Sequence, residues 1–122
     1  RNIPKVSLPP IIEKSKTDYL LEVESLLSNA TSLYEQNNVK DAYEKLSQSI
    51  RLFYSNKLNL EKEIITSDLL PLMKRFSKNE KSLVEESLQL SDMIEFAKHT
   101  ENNNKFKQIT IEFSKIIRKE KI

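Results

Sequence analysis

The sequence predicts an all-α fold: a single antiparallel four- to five-helix bundle, entered through an extended N-terminal leader that contains proline. Three observations lead to it. Apolar residues recur at intervals of three and four along most of the chain, the spacing that puts them on one side of a helix. Glycine is absent, against an average usage of about 7%. Positions that need a positive φ must therefore fall to asparagine, of which there are ten, and tight hairpins and glycine-dependent crossings become improbable. Finally, 122 residues make one ordinary domain, long enough to bury roughly two-thirds of its unfolded surface around one core.

Residues 1 to 14 form the leader. RNIPKVSLPPII carries three of the four prolines, each of which fixes φ and removes a donor, so it reads as a linker from a preceding domain or as an arm over the bundle. The bundle domain spans 15 to 122. A first helix is expected over about 17 to 36, with Leu20, Val23, Leu26, Leu27, Ala30, Leu33 and Tyr34 in one broad stripe. Ser15 or Thr17 is available as its cap, and Asp18 sits near the positive end of its dipole. Asn37 and Asn38 then supply a left-handed C-cap, and a second stripe follows from Val39 through Ala42, Tyr43, Leu46, Ile50, Phe53 and Tyr54, giving a helix over about 39 to 57. So short a connection makes the two helices antiparallel neighbours.

LNLEKEI, residues 58 to 64, alternates weakly, but a lone short strand has no partner, so it reads as loop or helical extension. TSDLLPLMKRF restarts a short helix over about 68 to 76, capped by Thr66, Ser67 or Asp68, with Leu69, Leu72, Met73 and Phe76 inward. Asn79 is the expected cap of a helix over about 80 to 98. Its main stripe is Leu83, Leu90, Ile94 and Ala97, flanked by Val84, Leu88 and Phe96. A last helix over about 104 to 119 carries the narrow stripe Phe106, Ile109, Phe113, Ile116 and Ile117. No internal repeat is visible.

Composition removes several kinds of chemistry. Without cysteine there are no disulfides, thiolate nucleophiles or cysteine-held zinc sites, and without glycine no phosphate-binding glycine loop. No apolar run approaches the ~18 residues of a membrane span, and no signal sequence is evident. The chain opens on Arg1, as a piece of something longer or a trimmed product would. His99, the lone histidine, reads as a helix-end residue favoured by the dipole. The carboxylate pairs Glu22/Glu24, Glu61/Glu63 and Glu85/Glu86 are spaced too closely to share a helical face and read as solvated surface. These residues offer no catalytic site, no metal site and no cofactor site, and the expectation is a chain that is not an enzyme.

Two surfaces could bind. If a groove stays open beside Tyr43, Tyr54 and Phe96, a protein partner could dock a helix there by apolar anchors. The second is a basic patch on the last helix, formed by Lys105, Lys107, Lys115, Arg118, Lys119 and Lys121. Residues 13 to 44 hold seven acids against three bases, and 98 to 122 hold seven bases against three acids, so the first and last helices should complement each other. The sharper alternative is binding of nucleic acid or an anionic surface through that patch. A net charge of only +2, and aromatics on the apolar stripe rather than among the lysines, disfavour nucleic acid.

The register Ala30-x3-Tyr34 followed by Ala42-x3-Leu46 resembles the helix pair of tetratricopeptide repeats and of the microtubule-interacting-and-trafficking domain, over residues of about 20 to 56. A longer resemblance runs over about 18 to 118: LYEQNNVKDAYEKLSQSIRLFY, then TSDLLPLMKRF, then LVEESLQLSDMIEFAKHT, a polar gap and a final amphipathic helix. That succession is similar to the helical domain of unknown function at the C-terminal end of transglutaminase-like membrane proteins of bacteria and archaea. The matching positions are Ala30, Tyr34, Ala42, Leu46, Thr66, Leu69, Leu83, Leu90, Phe96 and Ala97. Lys98-His99-Thr100 departs from the aromatic-glycine ending of that family, and the first turn has Asn for Gly. The resemblance implies a non-catalytic module tethered by a preceding membrane segment; the expectation is an interaction or scaffolding module, monomeric or weakly dimeric, that is a soluble part of a larger membrane-tethered protein. It carries no catalytic residue over. Helical nucleases that cut RNA with an Arg followed four to six residues later by His are a poor fit, because Arg51, Arg75 and Arg118 have no histidine at that distance.

Overall fold

A computed structural model describes residues 16–58, 69–97 and 103–121, and the described residues are all-α. Four α-helices follow one another: α1 (Lys16–Glu35), α2 (Val39–Lys57), α3 (Lys78–Ala97) and α4 (Asn103–Glu120), with a 3-10 turn at Leu70–Leu72 between α2 and α3. The leader, Ser15, Thr66, Ser67, Asp68, His99 and all of LNLEKEI but Leu58 lie outside the described residues.

The turn between α1 and α2 forms as its asparagines predict. Asn37 takes φ 64°. Its N–H donates to the Tyr34 carbonyl at 3.0 Å, while the Asn38 N–H reaches the Leu33 carbonyl at 2.9 Å. This is the paired Schellman closure that usually recruits glycine, and Asn tolerates the left-handed region better than other side chains. The Asn38 amide donates to the Asp41 carboxylate at 3.0 Å across the start of α2.

The helices face one another in a definite order. Tyr19 lies against Phe53, with centroids 6.3 Å apart, and the Ser49 hydroxyl donates to the Val23 carbonyl at 2.9 Å, so α2 runs back along α1. Ser91 Oγ donates to the Tyr43 carbonyl at 3.2 Å, and the Tyr54 hydroxyl to Glu80, so α3 runs back along α2. Phe106 stacks on Tyr34 with centroids 4.1 Å apart and meets Tyr43 edge-on, whereas Phe113 meets Phe53 edge-on. Helix α4 therefore runs with α2 and against α1. One apolar core joins the four, and Ala42, Leu46, Ile50, Phe53 and Tyr54 of α2 are wholly buried in it.

Three expectations need correction. Of the helix expected over 68 to 76, Leu69 is helical and Leu70–Leu72 form a three-residue 3-10 turn, followed by turn and bend backbone at Lys74–Phe76. The 3.6 period does not hold there, so Leu69 and Met73 are buried and Phe76 half-buried, but Leu72 is 46% exposed. The cap of α3 is Ser77, not Asn79: its hydroxyl accepts the Glu80 N–H at 3.1 Å, in the Ser-x-x-Glu spacing of a capping box. On α3 itself Val84 and Leu88 are central and Leu90 only half-buried. Ser87 and Ser91, both buried, complete the inward ladder by bonding the Val84 and Ser87 carbonyls.

The segment after the 3-10 turn is fastened to the end of α2. Arg75 donates to the Lys57 carbonyl at 2.6 Å and lies over the Phe76 ring, which in turn meets Tyr54 edge-on. Phe53 has three ring neighbours, Tyr19, Tyr54 and Phe113, on α1, α2 and α4. Phe53→Ala should lower unfolding free energy by about 3–5 kcal/mol in urea titration, because the surrounding helices cannot close over the lost ring. Ser77→Ala should cost about 1 kcal/mol in the same measurement, through the lost cap; a change below a few tenths would refute the capping role.

Candidate functional site

The core's packing leaves a groove between α3 and α4. Helices α1 and α2 lie together along most of their length, whereas α3 and α4 approach more loosely. The cavity there is about 680 Å³. Phe53 and Leu83, both buried, and the part-buried Ile116 give it an apolar lining, and the flank is ionic.

Each ionic group in the groove can be traced to its helix. Capping α3 at Ser77 puts Glu80 in the first turn, where its negative charge suits the helix dipole and faces Tyr54 on α2. The Tyr54 hydroxyl donates to Glu80 Oε1 at 2.7 Å. Burial holds the Tyr54 phenol far above its ordinary value near 10, reinforced by the bond to Glu80 and by that carboxylate's charge. At the end of α2, Lys57 Nζ meets Glu120 Oε1 of α4 at 2.7 Å, both side chains about a quarter exposed. Tyr19, also raised by burial, feels the charge of the same Glu120. Glu86, one turn and a half beyond Glu80, takes the Lys105 ammonium.

The three carboxylates, Glu80, Glu86 and Glu120, each engage a partner on another helix and so tie helix to helix. The groove can therefore receive an apolar side chain over Leu83 and Ile116 and meet both signs of charge at its edge, with Glu112, Lys115 and Lys119 on the α4 wall. Among the described residues there is no group of His, Cys, Asp or Glu able to hold a metal ion. No described helix is long and apolar enough to cross a membrane.

The expected groove beside Tyr43, Tyr54 and Phe96 does not form from the two tyrosines. Tyr43 is 1% exposed and Tyr54 fully buried. Their rings are core parts, packed on Phe106 and on Phe53 and Phe76, with the Tyr54 hydroxyl consumed by Glu80. Phe96 lies on α3 and its side chain is outside the described set. The basic patch divides. Lys105 is paired with Glu86, and Lys121 reaches Glu24 of α1 at 3.1 Å, the complementarity expected between first and last helices. Lys107, Lys115, Arg118 and Lys119 are exposed. Of the three carboxylate pairs, Glu24 and Glu86 are thus half-buried ion-pair members, Glu85 is exposed, and Glu61/Glu63 lie outside the described residues. The α3–α4 groove was missed because its lining residues read as ordinary stripe members; only the doubled Ile116-Ile117, wider than one seam requires, hints that one of them faces elsewhere.

The buried phenols make stability fall at high pH. A tyrosine held above 10 in the folded chain but near 10 when unfolded contributes stability that is complete below pH 10 and is lost as pH rises beyond it. Urea titrations should show unfolding free energy declining above pH 10, by at most about 1.4 kcal/mol per pH unit for Tyr54. Tyr54→Phe should flatten that slope, and an unchanged slope would refute the assignment. Set against known proteins, the chain matches no protein-family model, no curated protein and no solved structure.

Proposed function

We propose that the chain is a single antiparallel four- to five-helix bundle serving as a non-catalytic interaction or scaffolding module, a soluble part of a larger membrane-tethered protein, working without cofactor as a monomer or weak dimer. The observation that carries the reading is the α3–α4 groove: an apolar lining of Phe53, Leu83 and Ile116 beside carboxylates already engaged by Tyr54, Lys57 and Lys105. A protein segment that brings an apolar anchor with mixed charges around it suits such a surface. A reaction would instead need ionisable groups converging on one point with a perturbed acid or base among them.

The ring order α1–α2–α3–α4, with each helix reversing on the one before, supports the bundle. The tether rests on the resemblance to the C-terminal helical domain of transglutaminase-like membrane proteins. Burial of the matching positions Ala30, Ala42, Leu46, Leu69 and Leu83 fits that resemblance.

The tether has a direct test. The coding sequence ahead of Arg1 should specify an apolar run of about 20 residues. The parent chain expressed with it should stay in the membrane pellet after alkaline carbonate extraction, while residues 1–122 alone are released. A parent that carbonate strips from the membrane, or an upstream sequence with no such run, would sink the tethered reading.

A further inference from the structure

We infer that the outward face of α4 is a docking surface for a lipid bilayer rich in acidic headgroups. Lys107, Ile111, Lys115 and Arg118 follow one another at intervals of four, four and three, which puts them on one side of the helix. That side is opposite the stripe of Phe106, Ile109, Phe113 and Ile117, whose burial fixes the helix's rotation. All four outward residues are exposed, Ile111 by 55%, and Lys119 is exposed beside them.

Among the described residues, cations outnumber acids on this face. Of the two acids on α4 among the described residues, Glu120 is turned to Lys57, while Glu112, about 100° round from Ile111, shares the groove edge with Lys115 and Lys119. The strip's neighbour from α1, Glu24, is engaged by Lys121. What remains among the described residues is four cations, Lys107, Lys115, Arg118 and Lys119, against one exposed acid, Glu112, around the exposed Ile111.

A cationic helix face with an apolar residue at its centre matches the interface of an acidic bilayer, where cations meet headgroups and the apolar side chain enters the acyl boundary. Nucleic acid rewards the cations but not Ile111. Single strands additionally call for exposed rings to stack on, and both aromatics of α4 are buried. Each lysine or arginine near such a surface strengthens binding roughly fivefold, so four give on the order of several hundredfold. Such an attraction is reversible on its own and becomes decisive when a second attachment already holds the domain near the bilayer. The inference thus deepens the tethered-module reading and, as a contact in its own right, can be measured without the tether.

The test is co-sedimentation of the 122-residue chain with sucrose-loaded phosphatidylcholine vesicles, with and without phosphatidylserine. Binding should require phosphatidylserine and weaken with added salt. Lys115→Glu combined with Arg118→Glu should weaken it by at least roughly tenfold. Ile111→Ser should weaken it severalfold at every salt concentration, because its contribution is apolar rather than ionic. These substitutions sit on the solvent face, so unchanged far-UV circular dichroism checks the fold, and Lys107→Glu provides a second charge reversal. Equal binding to neutral vesicles, or indifference to these variants, would overturn the inference. So would failure to bind vesicles combined with tight, salt-dependent binding of a single-stranded oligonucleotide. Carbonate strips a peripheral contact of this kind, so the extraction experiment on the parent chain reports on the tether alone, and the two ideas can fail separately.

Discussion

Helix α2 must be buried against three other helices at once, and the rest of the structure follows from how its sequence allows that. With no glycine in the chain, close approach falls to alanine and serine. Ala42 and Ala30 are fully buried at the α1–α2 seam, and Ser49 turns its hydroxyl onto the Val23 carbonyl. Across the other seam Ser91 bonds the Tyr43 carbonyl. A buried hydroxyl is costly unless it finds an acceptor, and both find one on the facing or the same helix. These small polar contacts fix which residue faces which, while Phe53, Tyr54, Leu46 and Ile50 supply the apolar burial.

Most of the helical layout was legible in the sequence because it depends on period. The stripes of α1, α2 and α4 are apolar and regular, and their bounds were read to within about a residue. The turn at Asn37 was legible too, since asparagine was the remaining candidate for a left-handed residue. What failed did so for identifiable reasons. An apolar stripe cannot register Ser87 and Ser91, so the inward face of α3 was drawn too far toward Leu90. Three apolar residues around Pro71 imitate a helical turn, and only the backbone reveals that the helix does not continue. The Ser77–Glu80 box was present in the sequence but overlooked in favour of Asn79.

The candidate sites were less legible than the fold. Exposed aromatics and half-buried ones look alike in a sequence, so Tyr43 and Tyr54 passed for groove residues although they are core. A groove is a property of the distance between helices, here α3 and α4, and no local pattern encodes that distance. Lys105, Lys107, Lys115, Arg118 and Lys119 lie on α4 and Lys121 in the turn after it, and which of them are neutralised depended on partners 19 and 97 positions away, Glu86 for Lys105 and Glu24 for Lys121. Exposed pairs of this kind contribute little to stability, typically below about 1 kcal/mol. Their effect is instead to subtract two cations from the surface and leave a narrower set outward.

The three-residue reversal at Gln36-Asn37-Asn38 has a kinetic consequence. The most extensive helix pairing in the molecule joins segments adjacent in sequence, so closing that chain loop loses little entropy. Contacts of short sequence separation form early, and α1 with α2 is accordingly the pair to assemble first, presenting a template onto which α3 and then α4 condense. The corollary is an unequal resistance to opening: amide protons at the α1–α2 seam should be the slowest to exchange with solvent, and the helix that carries the outward cations, which touches each of its neighbours more sparingly, the readiest to lift away.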